Sequence, residues 1–319
     1  MKPVRQQVLG VRCWVLGVGC ILGFMFISGC DNSPRLYKES RVMMGTFVEV
    51  ISPEEKAAGI AFGEIKRIED LLSKYNQASE VSKLNSAGQL KVSRETYYII
   101  VRSKEFWALS NGAFDITVGP LVELWGFRDK KYYLPLKAEI AQTLKMVGTD
   151  KIILNPADNL VKFAVPGMQI DLGAIAKGYA VGCAVRKLRE NAIKSCLINA
   201  GGQIYCLGSK SGKPWVVAIA DPGKKGISGK LRLINKAVST SGDYEQFFIK
   251  DGTRYGHIFD PRTGMPANSG LASVTVVADD SLVADALTTA IFVLGEEKGK
   301  SLAEKFPGVK IKIIKERNG

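Results

Sequence analysis

Ile170-Asp171-Leu172-Gly173-Ala174-Ile175-Ala176-Lys177-Gly178-Tyr179 stands near the middle of the chain, and the elements on its two sides decide the fold class. The stretch opens a helical pattern that runs from Leu172 to Arg189, with little bulk at its start. Several strands follow between Ser195 and Lys250, broken by Gly201-Gly202, Gly212, Pro222-Gly223 and Gly242. A last strand, Ala272 to Ala278, leads into a helix from Ser281 to Leu294. Upstream, Val42 to Ile51 reads as a strand interrupted by a turn at Met43-Met44-Gly45-Thr46. A helix is expected between Pro53 and Tyr75, where Ala58, Phe62, Ile65, Ile68, Leu71 and Leu72 recur at helical spacing. Further helices are expected over Arg94 to Leu109 and Leu136 to Met146, and strands over Lys151 to Leu154 and Leu160 to Val165. Helices and strands mix without regular β-α-β alternation, so the class is α+β and not a doubly wound sheet.

The N-terminus carries a different signal. Lys2, Arg5 and Arg12 precede an apolar stretch, Cys13 to Phe26, closed by Ile27-Ser28-Gly29-Cys30. A positive start, a short apolar core and small residues before a cut describe an export signal; the alternative is an ordinary N-terminal membrane anchor. The closing four residues resemble the lipobox of bacterial lipoproteins. That resemblance makes residues 1–29 a signal peptide and Cys30 the lipidated first residue. Asp31 resembles the signal that retains such proteins on the inner membrane, which implies the periplasmic face. Residues 30–40 read as a polar tether and 41–319 as the folded domain.

Net charge is +13; subtracting Lys2, Arg5 and Arg12 leaves +10. The basic residues are scattered, with no dense block interleaved with aromatics, so nucleic acid is excluded as a partner. A phosphate-bearing ligand beside an anionic bilayer fits the surplus, as does a solvated basic surface. Beyond Cys30 the chain holds Cys183, Cys196 and Cys206, without the spacing of a zinc site or a dithiol motif. Three buried thiols or one disulfide remain open.

Three segments bring reactive groups together. His257 is the sole histidine, set within Arg254-Tyr255-Gly256-His257-Ile258-Phe259-Asp260-Pro261-Arg262-Thr263-Gly264. Asp-Pro and Thr-Gly force a tight loop there, and a near-neutral base suits an attacking hydroxyl. Asp285 and Thr289 lie four positions apart and share a helix face, offering the hard oxygen ligands that Mg²⁺ selects. The competing reading is a buried Asp hydrogen-bonded to Thr. Asp171 and Lys177 flank the small residues of the opening stretch, where a backbone or a phosphate can approach closely. Asn199-Ala200-Gly201-Gly202 is either another phosphate approach or a plain turn.

Taken in order, these segments resemble one family, the ApbE-type FAD:protein FMN transferases. The resemblance runs through Met44-Gly45-Thr46, Ser73-Lys74-Tyr75, Ala113-Phe114-Asp115 and Leu124-Trp125-Gly126-Phe127. It continues through Ile170 to Ala180, Asn199 to Gly202, Ser239 to Tyr244, His257 to Gly264 and Ala284 to Ala290. The family commonly has an acid where this chain has Gly182.

The resemblance implies one ApbE-like catalytic unit of two closely associated halves, with FAD in a central cleft. Met44, Tyr75, Ala113, Phe114, Asp115, Asp171, Lys177, Phe259 and Thr288 would contact FAD, and His257 would act as base as well as contact. The Ala174 carbonyl, Asp285 and Thr289 would hold Mg²⁺. FMN would pass from FAD to a threonine of an acceptor protein, releasing AMP. Implied acceptors are subunits of membrane respiratory complexes, the sodium-pumping NADH:quinone oxidoreductase or Rnf type. The rival readings are an Mg²⁺-dependent FAD pyrophosphatase and a lipid-anchored flavin carrier.

Overall fold

A computed structural model of the chain describes residues 35–222, 226–242 and 246–316. The expected signal peptide, Cys30, Asp31 and the Asp243-Tyr244 pair of the family motif lie outside these residues. The described residues belong to one compact unit, and no described helix is long and apolar enough to cross a membrane.

The fold begins with a hairpin, β1 (Tyr37–Met43) and β2 (Thr46–Ser52). Tyr37 already pairs with Ser52, so the sheet starts inside the stretch expected to be tether. The alternation of β2 buries Val48 and Val50, and α1 (Lys56–Leu72) covers them with Phe62, Ile65 and Ile68. A short polar helix, α2 (Glu80–Ala87), and β3 (Gln89–Lys91) lead to α3 (Arg94–Leu109), whose Ser93 side chain accepts the Thr96 N–H as an N-cap. Next come α4 (Gly119–Leu124), α5 (Lys137–Leu144), β4 (Ile152–Asn155) and β5 (Leu160–Phe163). β3, β5 and β4 form a small sheet.

α6 (Ala176–Glu190) starts four residues later than its pattern suggested. Asp171 to Ile175 form a turn instead: the Asp171 carboxylate accepts the Gly173 N–H at 2.9 Å and the Asp171 N–H donates to the Ile116 carbonyl at 2.7 Å. A side chain that captures nearby backbone competes with helix formation. β6 (Cys196–Ala200) and β7 (Gln203–Leu207) follow, then the hairpin β8 (Trp215–Ala220) and β9 (Ile227–Leu233), then β10 (Lys236–Gly242). Two small hairpins, β11 (Phe247–Lys250) with β12 (Thr253–Gly256) and β13 (Phe259–Asp260) with β14 (Met265–Pro266), carry the histidine loop. β15 (Leu271–Ala278), α7 (Ser281–Leu294), α8 (Glu296–Glu304) and β16 (Lys310–Lys315) complete the described chain.

The main sheet is antiparallel throughout, in the order β1-β2-β6-β7-β10-β15-β16. α1, α6 and α7 bury the main core against one face. On the other face, Trp215, Val217 and Leu233 of the β8–β9 hairpin cover Cys206 and Val238. A third, aromatic cluster around Trp125, Phe127 and Phe259 supports the histidine loop.

Candidate active site

A cleft of about 690 Å³ opens where the β1–β2 turn, the end of α1, the Ala113–Asp115 segment, the turn before α6, the end of β10, the histidine loop and α7 meet. Lys177 of α6 and Asp285 and Thr289 of α7 are among its polar lining. Gly178, in the first turn of α6, donates its N–H to the Asp285 Oδ2 at 2.7 Å. This carboxylate from α7 therefore caps α6, which has no side-chain cap of its own. The approach requires glycine: a Cβ at position 178 would lie 2.4 Å from the Ser281 carbonyl oxygen and 2.6 Å from the Asp285 Cβ.

Burial raises the Asp285 carboxyl above the ordinary carboxylate range, opposed by Lys177, the Gly178 N–H and the Ser239 hydroxyl. Both Asp285 and Lys177 line the cleft. Thr289, one helical turn beyond Asp285, also faces it, and its hydroxyl has no hydrogen-bond partner among the described residues. Ala174 borders the same wall. Two hard oxygen donors, the Asp285 carboxylate and the Thr289 hydroxyl, thus line the same cleft, the donor type that could hold Mg²⁺.

Thr288, expected as a cofactor contact, sits behind the cleft wall. It is fully buried and outside the cleft lining. Its hydroxyl donates to the Asp285 carbonyl at 2.7 Å and accepts from Ser241 at 2.9 Å. Thr288 fastens β10 to α7.

Asp115 lines the cleft but turns its charge inward. Its Oδ1 accepts from the Thr117 N–H and from the Thr117 and Thr149 hydroxyls at 2.6–2.7 Å, and its Oδ2 accepts the Thr149 N–H at 3.0 Å. Burial raises this carboxyl, while the hydrogen bonds oppose it. Asp115 therefore braces the loop, while Ala113 and Phe114, also buried, line the cleft beside it. Asp171 is similarly engaged, accepting from Lys74 Nζ at 2.5 Å. Burial pulls the Lys74 ammonium down, but Asp171 outweighs it and holds the group above its ordinary value. Tyr75, beside Lys74, is 64 % exposed at the cleft.

Met44 occupies the opposite lip. Met44 and Gly45 both have positive φ, 50° and 71°, as a two-residue hairpin turn of the favoured hand demands. A non-glycine residue there costs about 1–2 kcal/mol. The Met44 N–H is held by the Glu69 carboxylate at 2.6 Å.

The His257 N–H donates to the Gln246 carbonyl at 3.1 Å, and Nδ1 lies 3.1 Å from the same oxygen. A carbonyl only accepts, so Nδ1 carries the hydrogen in this contact. The loop behind it is rigid. Trp125 Nε1 donates to the Gly264 carbonyl at 3.0 Å, and Asp260 accepts from the Arg262 Nε and Nη2 at 2.8 and 2.7 Å. Phe259 lines the cleft while packing against Trp125 and Phe127.

The cleft thus gathers Met44, Tyr75, Ala113, Phe114, Asp115, Asp171, Ala174, Lys177, His257, Phe259, Asp285 and Thr289 from distant parts of the chain, and omits Thr288. Sequence reasoning missed Glu69, Lys74 and the Gln246 carbonyl. Lys74 belongs to the Ser73-Lys74-Tyr75 motif and could have been found there; Glu69 and a main-chain oxygen leave no motif to read.

The ApbE family model matches residues 44–313. The chain belongs to the ApbE family. Among curated relatives, the FAD:protein FMN transferase of Klebsiella pneumoniae is 37 % identical over 276 residues, covering 84 % of this chain and 85 % of that protein. The FAD:protein FMN transferase of Treponema pallidum is 34 % identical, covering 93 % and 89 %. The crystal structure of the ApbE protein from Thermotoga maritima superposes with a TM-score of 0.82 at 35 % identity, covering 88 % of this chain and 94 % of that one. The flavin transferase ApbE from Vibrio cholerae gives 0.80 at 29 % identity, covering 89 % and 94 %. The α+β class agrees with these relatives.

Proposed function

We propose that this chain is an FAD:protein FMN transferase that attaches FMN to a threonine hydroxyl of an acceptor protein and releases AMP. The observation that carries the reading is the placement of His257, Lys177, Asp285 and Thr289 on one cleft in a chain that matches curated FAD:protein FMN transferases over most of their length.

The ligand lies between the Met44 lip and the α6–α7 wall. Tyr75 and Met44 offer flat and polarizable surface to the flavin, and Lys177 offers charge to the pyrophosphate. Asp285, Thr289 and the Ala174 carbonyl would hold Mg²⁺, which when bound neutralises pyrophosphate charge. His257 Nε2 takes the proton of the acceptor hydroxyl as its oxygen forms a bond to the FMN phosphorus. The bond from that phosphorus to the bridging oxygen breaks, and AMP departs with the electron pair. The protein's work is mostly positioning, as in other phosphoryl-group transfers.

The lipobox reading supports attachment at Cys30 on the periplasmic face of the inner membrane, within reach of acceptor subunits of sodium-pumping or Rnf-type complexes. Incubation with FAD, Mg²⁺ and such a purified subunit, followed by mass analysis, tests the reading. A covalent FMN increment supports it. Free FMN assigns a pyrophosphatase instead, and unchanged FAD assigns a carrier.

A further inference from the structure

Lys74 and Asp171 lie 97 positions apart in the chain, yet Lys74 Nζ reaches the Asp171 Oδ2 at 2.5 Å. Both side chains are only 16 % exposed, and both line the cleft. An ion pair on an open surface is worth little. This one is largely withdrawn from water, and the backbone on each side of it is held.

One short helix, α2, does the holding. Just before it, the Ser79 hydroxyl donates to the Ser73 carbonyl at 2.7 Å, and within it the Ser82 hydroxyl donates to the Lys74 carbonyl at 3.0 Å. Farther along the same helix, Asn85 pairs with both main-chain groups of Ile170. Its Nδ2 donates to the Ile170 carbonyl at 2.9 Å, and its Oδ1 accepts the Ile170 N–H at 2.7 Å. The residues that carry the ammonium and the carboxylate are therefore set against each other by a common frame.

The Asp171 carboxylate has two tasks. Oδ2 takes Lys74, and Oδ1 accepts the Gly173 N–H at 2.9 Å. That second bond closes the 171–175 turn, on which the Ala174 carbonyl is presented at the cleft wall. Lys74 thus grips the far oxygen of the group on which the turn closes. We propose that Lys74 is a positioning residue for the metal site, acting through Asp171 to fix the turn and the direction of the Ala174 carbonyl. This rests on the Mg²⁺ ligation proposed above.

Electrostatics alone predicts the opposite sign. An ammonium on the cleft wall repels a dication, so its removal would tighten Mg²⁺ binding. If Lys74 positions the turn, its removal loosens Mg²⁺ binding.

The test is calorimetric titration of Mg²⁺ into FAD-loaded protein. The variants are Lys74→Met, which keeps the apolar stem, Lys74→Arg, Asp171→Asn and the Lys74→Met/Asp171→Asn double variant. Lys74→Met is expected to weaken Mg²⁺ binding by about tenfold, the lower end for groups that orient metal ligands. Its melting temperature stays near wild type, and Lys74→Arg stays within a few-fold in affinity. In the Asp171→Asn background Lys74→Met adds no further loss, as residues acting as one unit require. Unchanged or tighter Mg²⁺ binding in Lys74→Met overturns the proposal. So does an undiminished loss in the Asp171→Asn background, which would route the effect through the Tyr75 ring, 5.1 Å from the ammonium. If the wild type binds no Mg²⁺, the metal reading fails by itself. The amide resonance of Gly173 then decides whether Lys74 sets the turn, an unshifted signal in Lys74→Met overturning it.

Discussion

Gly178 on α6 and Asp285 on α7 meet through one hydrogen bond of 2.7 Å, and that bond joins helix packing to the chemistry of the cleft. Gly178→Ala forces the helices apart, at about 1–3 kcal/mol for an overpacked contact. The melting temperature is expected to fall. Transfer measured well below that temperature falls further than the unfolded fraction explains, because Asp285 moves with α7. A variant of wild-type stability and turnover would show that the contact is not needed.

Asp285→Asn keeps an acceptor for the Gly178 N–H but removes the charge. Mg²⁺-dependent transfer is expected to drop by at least about a hundredfold, a carboxylate being the principal attraction for a hard dication. The fold is expected to hold. Because burial raises the Asp285 carboxyl in the folded state, its ionisation is harder there than in the unfolded chain. Its contribution to stability is present at low pH and is lost as pH rises through the raised value. At neutral pH the Asn variant therefore melts no lower than wild type, and scanning calorimetry checks this. With Asp285 as the proposed ligand, the same shift is expected to weaken Mg²⁺ affinity on acidification at a pH above the usual carboxylate range, since the ligand has to be ionised. Calorimetric Mg²⁺ titration across pH reads that directly.

Two adjacent threonines are expected to behave oppositely. Thr288→Val removes the hydroxyl that links Asp285 and Ser241 and costs about 1 kcal/mol of stability, with Mg²⁺ affinity little changed. Thr289→Val leaves the melting temperature in place and weakens Mg²⁺ binding. Denaturant titration beside Mg²⁺ titration separates them, and a reversed pattern would exchange their roles.

His257→Ala is expected to bind FAD and to lose transfer by roughly 10²–10⁴-fold, the usual worth of a positioned general base. FAD affinity comes from equilibrium fluorescence and the rate from single-turnover mass analysis. Weak FAD binding with near-normal turnover at saturation would make His257 a ligand contact. Asp260 is a poor substitute base, because Arg262 occupies both of its oxygens.

Cys183, Cys196 and Cys206 are buried and unpaired with one another. Burial pushes the Cys196 and Cys206 thiols up to about 12, so little thiolate exists at neutral pH. Alkylation by iodoacetamide is expected only on unfolding, and reducing agent leaves the melting temperature unmoved. Rapid labelling of the folded protein would contradict this burial.

How much of this was legible in the sequence varied with how local the cause is. α3 and α7 were readable to the residue, because caps at Ser93 and Asp280 and breakers after each helix are local signals. The α6 start was misread by four residues because the Ile116 carbonyl, 55 positions upstream, holds Asp171 in a turn. β1 reads partly as a tether because, as an edge strand, it is exposed along nearly its whole length and shows no alternation. At the site, Asp285 and Thr289 follow from helical spacing alone. The inward commitments of Asp115 and Thr288 do not, since their partners Thr149 and Ser241 are distant in sequence.

The pairing of β2 with β6 joins residues about 150 positions apart, while α7 supplies the far wall of the cleft near the other end of the chain. A chain made from its N-terminus holds Met44, Tyr75 and even His257 before it holds Asp285. During synthesis it therefore has no site at which to capture a nucleotide, and a fragment ending before α7 is inert toward FAD however well its first half folds. Once the sheet closes, FAD binds the finished state alone and stabilises it by mass action. On the transferase reading, substrate supply is thereby expected to favour full-length molecules over truncated ones.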